Sequence, residues 1–182
     1  MDRRAFLVLT TSGAVAACSS TSGDCELPPP GDIDNYKLGA GDLIRITVFR
    51  NPELSGEFRI DGTGTLAMPL VGSIDAGGKT VRALEDAIET ALRDGGLLVQ
   101  PQVSVEVLEY RDFYIIGEVE APGGYPYRNG MTVVNAVALA GGFTYRADQN
   151  GITLKRGNQE HCVQPSSSIL PGDVITVSER FF

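Results

Sequence analysis

At 182 residues with a net charge of −8, the chain lacks the basic field that nucleic acid or an anionic membrane surface attracts. Hydrophobic residues at 42% and charged residues at 21% give an ordinary globular composition. The length allows one medium domain or two small ones, and domains of about 70 residues gain from packing on each other or on neighbouring subunits.

The first residues read as an export signal, residues 1–17. Arg3 and Arg4 supply the positive start, Ala5 to Ala17 is apolar but too short to span a bilayer, and Ala16-Ala17 precede Cys18. Val15-Ala16-Ala17-Cys18 resembles the lipobox of bacterial lipoproteins, with Val15 standing where leucine is commoner. That resemblance implies a lipid on Cys18, and Ser19 after it implies an outer-membrane address. The alternative is an ordinary cleaved signal peptide. Arg3-Arg4-Ala5-Phe6-Leu7 also resembles a twin-arginine export motif, which leaves both export routes open. Residues 18–35 form a tether rich in Ser, Gly and Pro, stiffened by Pro28-Pro29-Pro30.

Folded sequence begins at Tyr36. Gly41-Asp42 is a turn signal that releases a strand from Leu43 to Phe49, with Ile44, Ile46 and Val48 on one face and Arg45 and Thr47 on the other. Phe58 to Ile60, the turn Asp61-Gly62-Thr63-Gly64 and Thr65 to Met68 read as a hairpin closed by Pro69 and Gly72. Thr80 caps a helix from Val81 to Arg93, in which Val81, Leu84, Ile88, Ala91 and Leu92 make the apolar face and Arg82, Glu85, Glu89 and Arg93 a mostly opposite, solvated one. Gly95-Gly96 ends it. Val103, Val105 and Val107 alternate with Ser104 and Glu106 in a strand that closes this unit near Tyr110.

A second unit follows. Phe113 to Gly117 reads as a strand, Glu118 to Gly124 as a hairpin turning at Pro122-Gly123-Gly124, and Tyr125 to Arg128 as its return. A helix is expected from Thr132 to Ala140, then strands at Ile152 to Lys155 and Val174 to Ser178. Val133, Val134, Ala136, Val137, Ala138 and Leu139 surround the helix axis, so it should be covered by its own sheet on one side and by the first unit or another subunit on the other. Strand, strand, helix, strand, strand fits a β-grasp. The fold class is therefore α+β, a small mixed domain at 36–110 followed by a β-grasp domain at 111–182. Gly172-Asp173-Val174-Ile175 echoes Gly41-Asp42-Leu43-Ile44, as one turn-to-strand device used twice.

Leu38-x-x-Gly41-Asp42-Leu43-Ile44, Phe58 to Gly62, Leu66-x-x-Pro69-x-Val71-Gly72 and Gln102-Val103-Ser104-Val105 together resemble the opening domain of the bacterial polysaccharide export proteins. Gly117-Glu118-Val119-x-x-Pro122-Gly123 and Ala138-Leu139-Ala140-Gly141-Gly142 resemble the soluble-ligand-binding β-grasp domain that follows it in that family. The resemblance implies a lipid-anchored, periplasm-facing ring of identical subunits at the outer membrane that conducts a polysaccharide chain. It also implies coupling to an inner-membrane co-polymerase or chain-length regulator. The chain stops at Phe181-Phe182 after a strand, with no terminal helix of the kind larger relatives carry, so a separate outer-membrane protein is expected to finish the channel.

Candidate sites are few. Tyr125, Tyr127 and Arg128 could contact a ligand if the protein is instead a monomeric binder of a sugar or small molecule, although tyrosines on strands commonly pack across strands. Asp61, Asp75, Glu118 and Glu120 are the carboxylates a glycan-cleaving site would draw on, but no pairing for acid and base is evident and no enzyme is expected. With Cys18 lipidated, Cys25 and Cys162 are left as a disulfide pair or as free or intermolecular thiols. His161 beside Cys162 is too little for a metal site, and no cofactor is implied.

Overall fold

The computed structural model describes residues 35–180 and contains two hydrophobic cores in sequence. The first is built from Tyr36 to Val105, the second from Phe113 to Val177. The signal, the tether with Cys18 and Cys25, and Phe181-Phe182 lie outside the described residues.

In the first unit, β1 (Leu43–Val48) is the central strand of an antiparallel sheet, flanked by β2 (Gly56–Arg59) and β5 (Val103–Glu109). Ile44, Ile46 and Val48 are fully buried, as the alternation requires, and α1 (Val81–Asp94) lays Leu84, Ile88 and Leu92 on the same core. The Thr80 side chain accepts from Ala83 N at 3.2 Å, the expected cap.

The expected hairpin across Asp61 to Gly64 is not how the strands pair. β2 pairs with β1, whereas β3 (Thr65–Met68) pairs with β4 (Gly72–Asp75), a strand that residue pattern alone did not disclose. The reason is the tight reversal between β3 and β4: Leu70 and Gly72 take φ of 65° and 89°, returning the chain at once. Asp61 meanwhile winds its own turn, its carboxylate accepting from Thr63 N and Thr65 N, both at 2.9 Å, and from both threonine hydroxyls.

The solvated face expected of α1 also needs correction. The carboxylate of Glu85 accepts from Val105 N at 2.9 Å and that of Glu89 from Val103 N at 3.1 Å. β5 has β1 on one side only, so these amides on its outer edge would otherwise be unpaired. The helix therefore seals the sheet edge with its acidic side chains as well as covering the core with its apolar ones.

The second unit is a mixed sheet in the order β7-β6-β10-β8-β9, from β6 (Phe113–Gly117), β7 (Gly123–Tyr125), β8 (Ala147–Arg156), β9 (Gln159–Cys162) and β10 (Val174–Glu179). β10 runs parallel to β6 and antiparallel to β8, and α2 (Val133–Leu139) packs on the sheet, the β-grasp arrangement expected. Gly123 and Gly124 fall inside β7 rather than at its turn, opposite Ile115 and Tyr114. On α2, Val133, Ala136, Val137 and Ala140 are buried, but Val134 and Leu139 are about half exposed and Ala138 is open, so the first unit does not cover the second side of this helix.

Changing Glu85 and Glu89 together to Ala should lower unfolding stability by about 1–3 kcal/mol in urea titrations, because two strand amides lose their acceptors. The Gln pair, whose amide oxygens still accept, should recover most of that loss. Equal behaviour of the two variants would refute the edge-sealing role.

Candidate functional site

The two cores meet at Tyr110 and Arg111, and the elements that meet there are the two Gly-Asp turns. Asp42 is wholly buried; it accepts from Tyr36 Oη at 2.8 and 3.0 Å, from Gly39 N at 2.8 Å and from Arg111 N at 2.8 Å. Asp173, also buried, accepts from Leu170 N at 2.7 Å and from Arg156 Nε and Nη2 at 3.0 and 2.8 Å. In both turns the aspartate N–H donates to the carbonyl three residues back, at 3.2 Å, and the preceding glycine has positive φ, 98° at Gly41 and 83° at Gly172. The local device is the same; its arginine partner differs.

Arg111 binds the two turns to each other. Its guanidinium lies 3.8 Å from the Asp42 carboxylate and 5.3 Å from the Tyr36 ring centre, in cation–π range. It runs so close to both backbones that a Cβ on Gly39 would sit 1.8 Å from Nη1 and one on Gly172 would sit 2.5 Å from Nε. Tyr110 continues the joint, its ring meeting Tyr36 edge-on at 5.3 Å and Tyr127 edge-on at 5.5 Å. Burial, and then the bond to Asp42, push the Tyr36 phenol well above the usual tyrosine range.

A pocket of about 390 Å3 opens beside this joint, lined by Ala40, Gly41, Arg59, Glu109, Arg111, Asp112, Tyr114 and Gly172 among others. Arg59 is held there by Gly41 O at 2.8 Å and by Glu109 at 3.1 Å. Residues 30–108 match the family described as polysaccharide biosynthesis/export protein, and residues 113–167 match the SLBB domain. The chain belongs to the polysaccharide export family. Among its relatives is the exopolysaccharide production protein ExoF of Rhizobium meliloti, 37% identical in an alignment 134 positions long that covers 68% of this chain and 31% of that protein. The EPS I polysaccharide export outer membrane protein EpsA is 29% identical in Ralstonia nicotianae and 28% in Ralstonia solanacearum, in each case over 80% of this chain and 48% of the relative. The chain thus spans a third to a half of the curated relatives it matches.

Within this export-family fold, the residues singled out from sequence separate. Tyr127 is buried in the second core against Tyr110, and Tyr125 stacks on Phe113 with its hydroxyl donating to Ala121 O at 2.6 Å, so both serve packing. Arg128 alone of the three is exposed, lining a groove of about 450 Å3 with Met131, Asn135 and Leu139 beside α2. The carboxylates considered for glycan cleavage are divided between the units: Asp61 is engaged in its turn, held ionised well below the usual carboxylate range by the threonine hydrogen bonds, and Asp75 pairs opposite Thr65. Glu118 accepts from the Thr144 hydroxyl and Glu120 is exposed on the loop after β6. No group of three or more metal-type side chains occurs among the described residues. Cys162 ends β9, and Cys25, its candidate partner, lies outside the described residues. The joint itself was missed: Gly-Asp was read as a turn, and nothing local to Tyr110-Arg111 announces that both turns converge on it.

Asp42→Asn should cost about 3 kcal/mol, since an amide turns a donor toward groups that need an acceptor, and should speed proteolysis after Arg111. The Tyr36 phenol adds an alkaline signature. Its folded-state pKa is raised, so its contribution is whole below the unfolded value of about 10 and is lost as pH climbs beyond it. Unfolding titrations from pH 8 to 11 should therefore show a decline that Tyr36→Phe flattens.

Proposed function

We propose that this protein is a non-catalytic subunit of a machine that carries polysaccharide across the cell envelope. In this reading it is anchored at the outer membrane by lipid on Cys18, faces the periplasm and assembles as a homo-oligomeric ring. The observation that carries the reading is the order of the two matched domains, export domain then SLBB domain, joined through Tyr110 and Arg111 into one packed body. Support for the location comes from relatives whose names place them at the outer membrane. The apolar side of α2, with Val134 and Leu139 open, supports self-association because a single chain leaves it in water. An inner-membrane co-polymerase or chain-length regulator is the natural partner on the supply side. No helix among the described residues is long and apolar enough to cross a membrane.

Deleting the gene should abolish secreted polymer, and the wild-type chain should restore it. In mild detergent the native protein should have a mass several times that of the single chain. Cys18→Ser should leave a soluble or uncleaved form that no longer fractionates with the outer membrane; retention there would sink the lipid-anchor reading.

We also propose Cys25 as the partner of Cys162. That bond would tie the tether to β9 and contribute about 2–4 kcal/mol by restricting the unfolded chain. A non-reduced digest of the periplasmic form should yield one cross-linked peptide holding both cysteines. Two freely alkylated thiols would end the proposal.

A further inference from the structure

We propose that the pocket at the domain joint is a saccharide-contact subsite with Tyr114 as its stacking platform; the inference rests on the polysaccharide export reading. Tyr114 projects from β6 on the face opposite the core, between buried Phe113 and Ile115, and is half exposed. Its ring lies across the strand β7 at Gly124, where a Cβ would sit 3.0 Å from Cε1 and 3.3 Å from Cδ1. A side chain there would displace the ring, so the glycine permits the aromatic surface to lie flat. The phenol hydroxyl makes no hydrogen bond among the described residues and is free for a ligand.

Around that ring the pocket supplies polar groups of both kinds. Arg59 and Arg111 are fixed in place by the bonds already described and offer planar N–H donors. Glu109 and Asp112 offer acceptors, and the carboxylate of Asp112 is not engaged by any ion pair or hydrogen bond among the described residues. Arg59 is compensated by Glu109 and Arg111 by the buried Asp42, which leaves Asp112 as an acceptor and no excess positive charge to select an anion. A neutral ligand with an apolar face and a rim of hydroxyls fits instead. A pyranose has both: its C–H face stacks on the Tyr114 ring, and its hydroxyls take donors and acceptors from the walls. The volume of about 390 Å3 suits a short stretch of saccharide rather than a folded partner.

The test uses the mature full chain and size-fractionated oligosaccharides made by partial hydrolysis of the exopolysaccharide that the source cells secrete. The chain has no tryptophan, so tyrosine emission and amide shifts report binding directly. Saturable binding in the millimolar range is expected, with shifts centred on residues 109–114. Tyr114→Ala should weaken it by about tenfold, Tyr114→Phe by no more than about threefold, and Asp112→Asn by an intermediate factor, with melting curves confirming that each variant is folded. No binding by the wild type, unchanged affinity in Tyr114→Ala, or shifts confined to the groove beside α2 would each overturn the subsite. So would a Tyr114→Ala protein that changes assembly mass but binds saccharide normally, since the ring would then serve a contact between copies. Polymer secretion in the complemented deletion strain is read separately: failure of the wild-type chain to restore it sinks the export reading, whereas restored secretion without saccharide binding sinks the subsite alone.

Discussion

The structure depends on one buried carboxylate. Asp42 has no access to water, and a charge so placed is tolerable only because donors surround it: the Tyr36 hydroxyl, the amides of Gly39 and Arg111, and the nearby Arg111 guanidinium. Two of these donors belong to the residue that begins the second unit, so satisfying the carboxylate also fixes the angle at which that unit leaves the first. The Tyr36, Tyr110 and Tyr127 rings then fill the space between the cores edge to face, and the joint is packed rather than a free linker.

This rigidity has a mechanical meaning. A flexible joint would absorb a force applied to either domain before the other felt it. Here the arginine that shields Asp42 also presses on Gly172, beside the second buried aspartate. A load on the β-grasp domain is passed to the export domain through that contact, and the two domains respond as one piece.

Much of the fold was legible because its signals are local. Thr80 before an amphipathic run, the alternation in Leu43 to Val48 and the glycine of each Gly-Asp turn state their conformation within a few residues. Pairing was less legible, since it is decided between distant segments. The turn after Asp61 looks like a hairpin from its own residues, yet β2 finds β1 and β3 finds β4. Gly123-Gly124 look like turn residues because nothing in their neighbourhood reveals the Tyr114 ring that lies against Gly124. Glu85 and Glu89 sit at helical spacing that reads as solvent-facing, and only the placement of β5 makes them acceptors. The site follows the same rule: Tyr125 and Tyr127 drew attention as aromatic residues near a turn, while Tyr110 and Arg111, which contact both units, carry no motif.

The order of strands in the second sheet sets when that domain can exist. β10 comes last among its strands in the chain but occupies the middle of the sheet, with β6 and β8 on either side. Until residues 174–179 are present, the sheet is two separate hairpins with no shared core, and neither is stable alone. Gly172, which closes the joint against Arg111, arrives with the same segment. A nascent chain therefore carries a second domain that stays unfolded until its final strand is made.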